Sequence, residues 1–574
     1  MTTSPQEPVV GEPFRVIVVA EVMSGANVRL SHSGKKVSAA ETSDSGPPAW
    51  AVLPVTAAEV GEYTVAVEQA GCEPLSTASH TFSIKDTRVR SLAGYTPGVW
   101  PIRRAWSRDW ENVYSAWIEV LFDAPSEQQL SWPALHEVLR DPKRNFLHNH
   151  LGLNEDEGGD KGLTIRPDCA DLPYFLRAYF AFKYGLPFGY SLCSRGSGGQ
   201  APTCPGWDNV VSTKSPRRQT PLGTFGQFIK WTLADAVHSG SARTPLTDDE
   251  NDYYPVPLSA DALRPGTVYA DPYGHVLVVA KRVGQTPDRA GLLFAVDGQP
   301  DGTVARKRFW RGNFLFAHDP ALGGPGFKRF RPVVVDGPRM RRLSNREIAS
   351  NADYADMSLE QADLTIDAFY DRMDDVLSPD PLDAERALLG SIDALEEQVK
   401  ARVTSIENGR KFLKRGSKSA DMPDGPEIFE TTGAWEDFST PSRDLRLLIA
   451  VDVVQGFPVR AERRRERYRL PEGVTAEGLR EHLKTKLQEQ LLSRKIRYLR
   501  SDDSEFELSL KDASERAPSF EMAYNPNDCP ELRWGASKGT DEMATCKRHA
   551  PWKQRAKMSR YRAWFKERKR PPRK

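Results

Sequence analysis

The stretch Arg166-Pro167-Asp168-Cys169-Ala170-Asp171-Leu172-Pro173 runs into Leu172, Phe175, Leu176, Tyr179 and Phe180, apolar residues at the three-and-four spacing of a buried helix. Pro173 has no N–H and fits best in a first turn, so the helix is expected to begin near Asp171 with Cys169 at its cap. There the unpaired backbone N–H groups and the helix dipole favour a thiolate. Asp168 and Asp171 work against it, so a cationic partner is required.

A candidate partner stands 106 residues on, in Pro265-Gly266-Thr267-Val268-Tyr269-Ala270-Asp271-Pro272-Tyr273-Gly274-His275, which opens the apolar run Val276 to Ala280. The next apolar run, Leu292 to Val296, ends at Asp297-Gly298-Gln299. If these two strands pair as a hairpin, Asp297 comes within reach of the far ring nitrogen of His275. Nucleophile, base and orienter are then present, which is the logic of a cysteine hydrolase. A lone helix-start cysteine would instead read as a buried, inert residue; it is the histidine and aspartate in this order that favour chemistry.

Asp168-Cys169 at a helix start, followed by Pro265-Gly266-Thr267-Val268 and Gly274-His275-Val276, resembles the papain-like cell-wall peptidases of the NlpC type and the related CHAP amidases. The resemblance covers roughly residues 140 to 320; where the family usually has Asp-Cys-Ser-Gly, this chain has Asp168-Cys169-Ala170-Asp171. It implies a papain-like α+β domain that cuts amide bonds of peptidoglycan or of a peptide. Cys169 would be the nucleophile, His275 the proton carrier and Asp297 the orienter, with no cofactor and no metal. Two alternatives stay open. One is a transglutaminase-like acyl transferase using the same three residues, although the usual aromatic after the cysteine is absent; the other is a non-catalytic wall or polysaccharide binder.

Outward from this core, residues 12 to 84 alternate short β-rich runs (Phe14 to Val22, Ala26 to Ser31, Ala49 to Val55, Tyr63 to Val67, Thr81 to Ile84) with Gly, Pro and Ser turns, the pattern of a small antiparallel sandwich. Gly61-Glu62-Tyr63-Thr64-Val65 resembles the corner of immunoglobulin-like domains where a tyrosine hydroxyl bonds back to the backbone. Trp106, Trp110, Val113, Trp117 and Leu121 lie on one face of an expected helix, read as packing rather than as a sugar platform. After Pro332 the chain turns helical. Ser358 with Gln361 reads as a capping box before Ile366, and Leu388, Ile392, Leu395, Val399 and Ile406 continue at heptad-like spacing, predicting an antiparallel helical pair. The expected architecture is multidomain α+β: an immunoglobulin-like β-sandwich at 1–88, a papain-like cysteine hydrolase domain at 89–345, a helical region at 346–520 and a basic segment at 521–574.

The chain of 574 residues is 27% charged and 39% hydrophobic, an ordinary globular balance that excludes disordered and fibrous classes. No apolar run is long enough to span a membrane, and Met1 to Gly11 lacks the apolar core of a secretory signal. Residues 547 to 574 hold thirteen Lys or Arg against Glu567, a local +12, so a whole-chain charge of +1 leaves −11 for the rest. With Trp552, Tyr561, Trp564 and Phe565 interleaved, that tail suits an anionic wall polymer or an acidic surface of the same protein, and nucleic acid less well. Cys193 with Cys204 and Cys529 with Cys546 each flank a short loop that a disulfide would close, leaving Cys72 and Cys169 free and favouring an extracytoplasmic location. A zinc site at Cys529, Cys546 and His549 lacks any Cys-x-x-Cys and a fourth ligand. The acidic loop Asn154 to Asp160 lacks EF-hand spacing and reads as a solvated loop.

Overall fold

Leu277, Val279, Leu293 and Ala295 alternate with Val276, Val278, Ala280 and Val296 along two neighbouring strands, and both sets are buried. Such a sheet must be covered on both faces. The computed structural model describes residues 1–574 apart from 24–25, 42–45, 56–58, 70–77, 87–97, 129, 160–161, 214–219, 338, 417–418, 431–432 and 573–574. It is a mixed α+β architecture, multidomain in size, with several sheets and helices.

The central sheet is antiparallel, in the order Tyr253–Pro255, Gly326–Phe330, Val268–Ala270, Val276–Val283, Leu292–Gly298, Val304–Arg308, Ser131–Trp132. Val276–Val283 and Leu292–Gly298 form the expected hairpin, with Val278 opposite Val296. On one face the tryptophan helix (Arg108–Leu121) and the cysteine helix (Asp171–Tyr184) share an apolar cluster with Val278 and Val296. Trp117 stacks on Tyr179 with ring centroids 5.4 Å apart. Trp106 carries the Arg177 guanidinium at 3.3 Å, and Arg177 in turn holds Glu111 through two hydrogen bonds of 2.8 and 2.5 Å. The aromatic stripe is thus spent on packing. The acidic loop departs from the solvated expectation: Glu155 and Asp156 are buried and close on the Lys183 ammonium at 2.6 and 2.5 Å. A fully buried cation recruits the nearest carboxylates because an unpaired one would cost several kcal/mol (roughly 3–5).

On the second face Leu277, Val279, Leu293 and Ala295 meet Phe314, Phe327, Phe369, Tyr370 and Met373. The helix Ile366–Leu377 belongs to this layer and is capped by Thr365, whose side chain accepts from the Ala368 N–H. Gln361 has another task than the expected capping box. Its amide accepts from the Phe327 N–H at 2.9 Å and donates to the carbonyls of Val256 and Phe327, stitching the edge of the sheet from inside.

The N-terminal segment forms two antiparallel sheets, Thr2–Ser4, Phe14–Ala20, Ala49–Val55 and Lys35–Glu41, Ala26–His32, Gly61–Gln69, Ala78–Ile84. Phe14, Val16, Val28, Leu30, Leu53 and Val65 lie in the core they share. The Tyr63 hydroxyl accepts from the Glu59 N–H at 2.9 Å, the backward bond expected of that residue. Ile17, Val19, Trp50 and Val52 face the other way, into the cluster of the tryptophan helix, and the Trp50 indole N–H donates to Glu119 at 3.0 Å. The two N-terminal sheets therefore pack against the tryptophan helix through an apolar face.

In the C-terminal part the long helix Ala384–Lys414 buries Leu388, Ile392, Leu395, Val399 and Ile406, as their spacing predicts. Its partners are Pro441–Gln455 and Leu479–Ser493, while the helix Ile366–Leu377, expected to pair with it, covers the central sheet instead. The last helix, Trp552–Lys566, packs Met558, Tyr561 and Phe565 into the same core. Three of its basic residues are answered within the chain, Arg555 by Asp528, Lys557 by Asp424 and Arg562 by Glu521, as is Arg568 just beyond it by Asp452. Disulfides join Cys193 to Cys204 and Cys529 to Cys546, with Cα atoms 3.9 and 5.7 Å apart. Cys169 is a free thiol, and Cys72 lies outside the described residues. No helix among the described residues is long and apolar enough to cross a membrane.

Candidate functional site

The cysteine helix begins at Asp171, and its cap is supplied from two residues further upstream than Ala170. Asp168 Oδ1 accepts from the N–H groups of Ala170 at 2.8 Å and Asp171 at 2.9 Å. A carboxylate there satisfies the open end of the helix, and it occupies donors that a Cys169 thiolate would otherwise use. The Cys169 N–H itself has no partner among the described residues.

Two glycines bring the strands to this loop. A Cβ at Gly298 would lie 2.3 Å from the Asp168 carbonyl oxygen, so only glycine lets the Asp297 strand end touch the cysteine loop. Gly274, at φ +104°, turns the chain just before His275, and its carbonyl accepts from the Cys169 thiol at 3.5 Å. The outcome is convergence: Cys169 Sγ, one imidazole nitrogen of His275 and one carboxylate oxygen of Asp297 lie within 4.8 Å of one another. His275 Nδ1 is 3.5 Å from Asp297 Oδ2, an ion-pair distance, and makes no hydrogen bond among the described residues. All three sequence-assigned residues therefore meet at one place.

Two residues at the site were not legible from the sequence. Lys307, on the strand next to Asp297, places its ammonium on Asp297 Oδ2, and Gln299 Nε2 donates to the same oxygen at 2.8 Å. Nothing in Arg306-Lys307-Arg308 distinguishes the middle cation until the register sets Asp297 opposite Ala305. Strand alternation puts Asp297 and Lys307 on the side of Ala295, and the cysteine loop reaches them around the strand ends. From the C-terminal part, Arg446 donates to buried Asp271 at 2.8 Å and to the Asn313 carbonyl at 2.8 Å. Asp271 in turn fixes the histidine turn: its N–H donates to the His275 carbonyl at 2.8 Å, and its carboxylate accepts from the Tyr273 N–H at 2.8 Å. Arg570 of the tail donates to the Tyr273 carbonyl.

The electrostatics oppose the thiolate expected at a helix start. Burial, then the charges of Asp297 and Asp168, push the Cys169 thiol well above its ordinary value, outweighing the Val276 N–H and Lys307. Burial, with Asp168 and Asp235 adding to it, pushes Asp171 up to about 8, so it carries little charge at neutral pH. Burial disfavours the Asp297 carboxylate, but Lys307 and then His275 more than offset this and hold it well below the usual range. Cys169, His275 and Asp297 are ligand types that zinc accepts. The Lys307 ammonium, however, sits on the carboxylate oxygen that faces the imidazole, putting positive charge where a cation would have to bind. The arrangement suits proton transfer between a neutral thiol and an imidazole that lies beside a buried carboxylate.

No family model, curated protein or solved structure matches this chain.

Proposed function

We propose that the protein is a cysteine-dependent amide hydrolase of papain-like, NlpC-type architecture, with an immunoglobulin-like N-terminal sandwich that serves as a spacer. The observation that carries this reading is the convergence of Cys169, His275 and Asp297 from three separate stretches of chain. In the reaction, His275 takes the thiol proton as Cys169 Sγ attacks the amide carbonyl; the proton passes to the leaving amine as the C–N bond breaks. Water, deprotonated by the same imidazole, then releases the acid and restores the thiol. Asp297, pinned by Lys307, orients and stabilises the imidazolium. The free Cys169 N–H is one donor for the oxyanion. The substrate class that the resemblance supplies is a peptide amide of the cell wall, and the two disulfides support an extracytoplasmic setting.

A second reading, a non-catalytic wall binder, has its own support in the elevated thiol and in Asp168 occupying the helix N–H groups. The two readings separate on purified peptidoglycan and stem-peptide fragments. The hydrolase releases new amines, falls by several orders of magnitude in Cys169→Ala, and still sediments with the polymer. A binder shows no turnover and equal sedimentation for both proteins. A transglutaminase-like enzyme would instead join an added amine to a glutamine-bearing peptide, with the same dependence on Cys169.

A further inference from the structure

A cleft of about 590 Å³ lies between the central sheet and the C-terminal helices, within the range of small-molecule sites and at the kind of inter-module seam where they occur. Phe294, Phe309, Trp310 and Phe457 give it apolar walls. Most of its carboxylates are engaged: Asp371 and Asp374 by Arg311, Asp288 by Arg386, Asp393 by Arg494 and Glu127 by Arg289, while Asp383 accepts from the Arg386 N–H.

Four of its arginines are in a different position, because they hold only carbonyl oxygens. Arg306 donates to the Pro125 carbonyl at 2.9 Å, Arg308 to Gly390 at 3.2 Å, Arg460 to Val453 at 2.5 Å and Arg469 to Pro287 at 2.7 Å. Arg306 is 3% exposed. Its guanidinium lies 3.8 Å over the Phe294 ring, and its Nε and Nη2 have no partner. Burial, followed by the charge of Arg311, pushes Arg460 down to about 10. A carbonyl dipole compensates a guanidinium less than a carboxylate does, so like charges gathered around one cleft leave an unmet demand for an anion.

We propose that this cleft binds an anionic small molecule that carries carboxylate or phosphate groups on an apolar or ring scaffold. The site is separate from Cys169 and independent of the hydrolase reading. The test is fluorescence titration of the full chain with 8-anilinonaphthalene-1-sulfonate, a sulfonated aromatic, at fixed ionic strength, with displacement by citrate or by pyrophosphate. One saturable site is expected, displaced by citrate if the natural group is a carboxylate and by pyrophosphate if it is a phosphate. Arg308→Ser with Arg460→Ser should weaken the dye at least tenfold. Ser391→Phe, which fills the cleft from the long helix without removing an arginine, should do the same should the double variant fail to fold. Cys169→Ala should bind like the wild type. Absence of saturable binding, equal binding by wild type and the cleft variants, or failure of both anions to compete would overturn the proposal.

Discussion

Cys169 stands at the start of a helix, close to the carboxylates of Asp168 and Asp297. A helix-start cysteine is expected to be acidic, yet burial and the carboxylates of Asp297 and Asp168 push it the other way. A raised thiol pKa keeps the thiolate fraction below that of an ordinary cysteine until the pH passes well beyond about 8.5. Iodoacetamide labelling of Cys169 at pH 8, followed by peptide mapping, should therefore be at least tenfold slower in the folded protein than in urea. Asp168→Asn keeps a cap acceptor but removes a charge, and should speed labelling several-fold. Lys307 stabilises the Asp297 carboxylate by its charge. The folded Asp297 is depressed, so its ion pair contributes above the pH near 3.9 at which an unfolded aspartate ionises, and is lost as the pH falls below that. Lys307→Met should cost about 2 kcal/mol at pH 7, less than a fully buried pair because the lysine is a third exposed. The deficit should shrink toward pH 3, which urea titrations at the two pH values would measure.

At the scale of elements, the site depends on where strand ends and loops touch. Gly298→Ala would set a methyl group against the Asp168 carbonyl, so the cysteine loop must move. The expected result is a loss of about 2 kcal/mol in stability together with a hydrolysis rate at least tenfold lower, while Gly284→Ala, open on all sides, serves as the neutral control. Arg446→Met leaves buried Asp271 without its cation and should cost about 3 kcal/mol, with the histidine turn loosened; hydrogen exchange at His275 and Val276 should rise in that variant. Local pattern made part of this visible in advance. The helix start at Asp171 and the hairpin around Val278 and Val296 follow from periodicity and proline chemistry alone. The strand Lys35–Glu41 does not, because Val37 is the one strong β-former in Lys35-Lys36-Val37-Ser38. The Gln361 contacts were also hidden, since a polar residue near a helix start reads as a cap until the sheet edge it serves is known.

For the whole molecule, what the sequence could not carry is long-range. Arg555, Lys557, Arg562 and Arg568 find their acids in Asp528, Asp424, Glu521 and Asp452, residues distant in sequence, so local composition does not show how much of the tail's charge is answered within the chain. Arg446 and Asp271 are 175 residues apart and meet only after the C-terminal helices pack beside the histidine turn. The order cysteine, histidine, aspartate was legible because each stands at the start or end of a regular element, which fixes it to the same end of the sheet. Whether that end of the sheet performs covalent chemistry is decided by intact-protein mass spectrometry after brief exposure to a peptidyl thioester. An acyl adduct mapping to Cys169 is expected in the wild type, absent in Cys169→Ala and strongly slowed in His275→Ala. An unmodified Cys169 across a panel of peptidyl thioesters, or an adduct that forms as fast without the imidazole, would contradict the hydrolase reading.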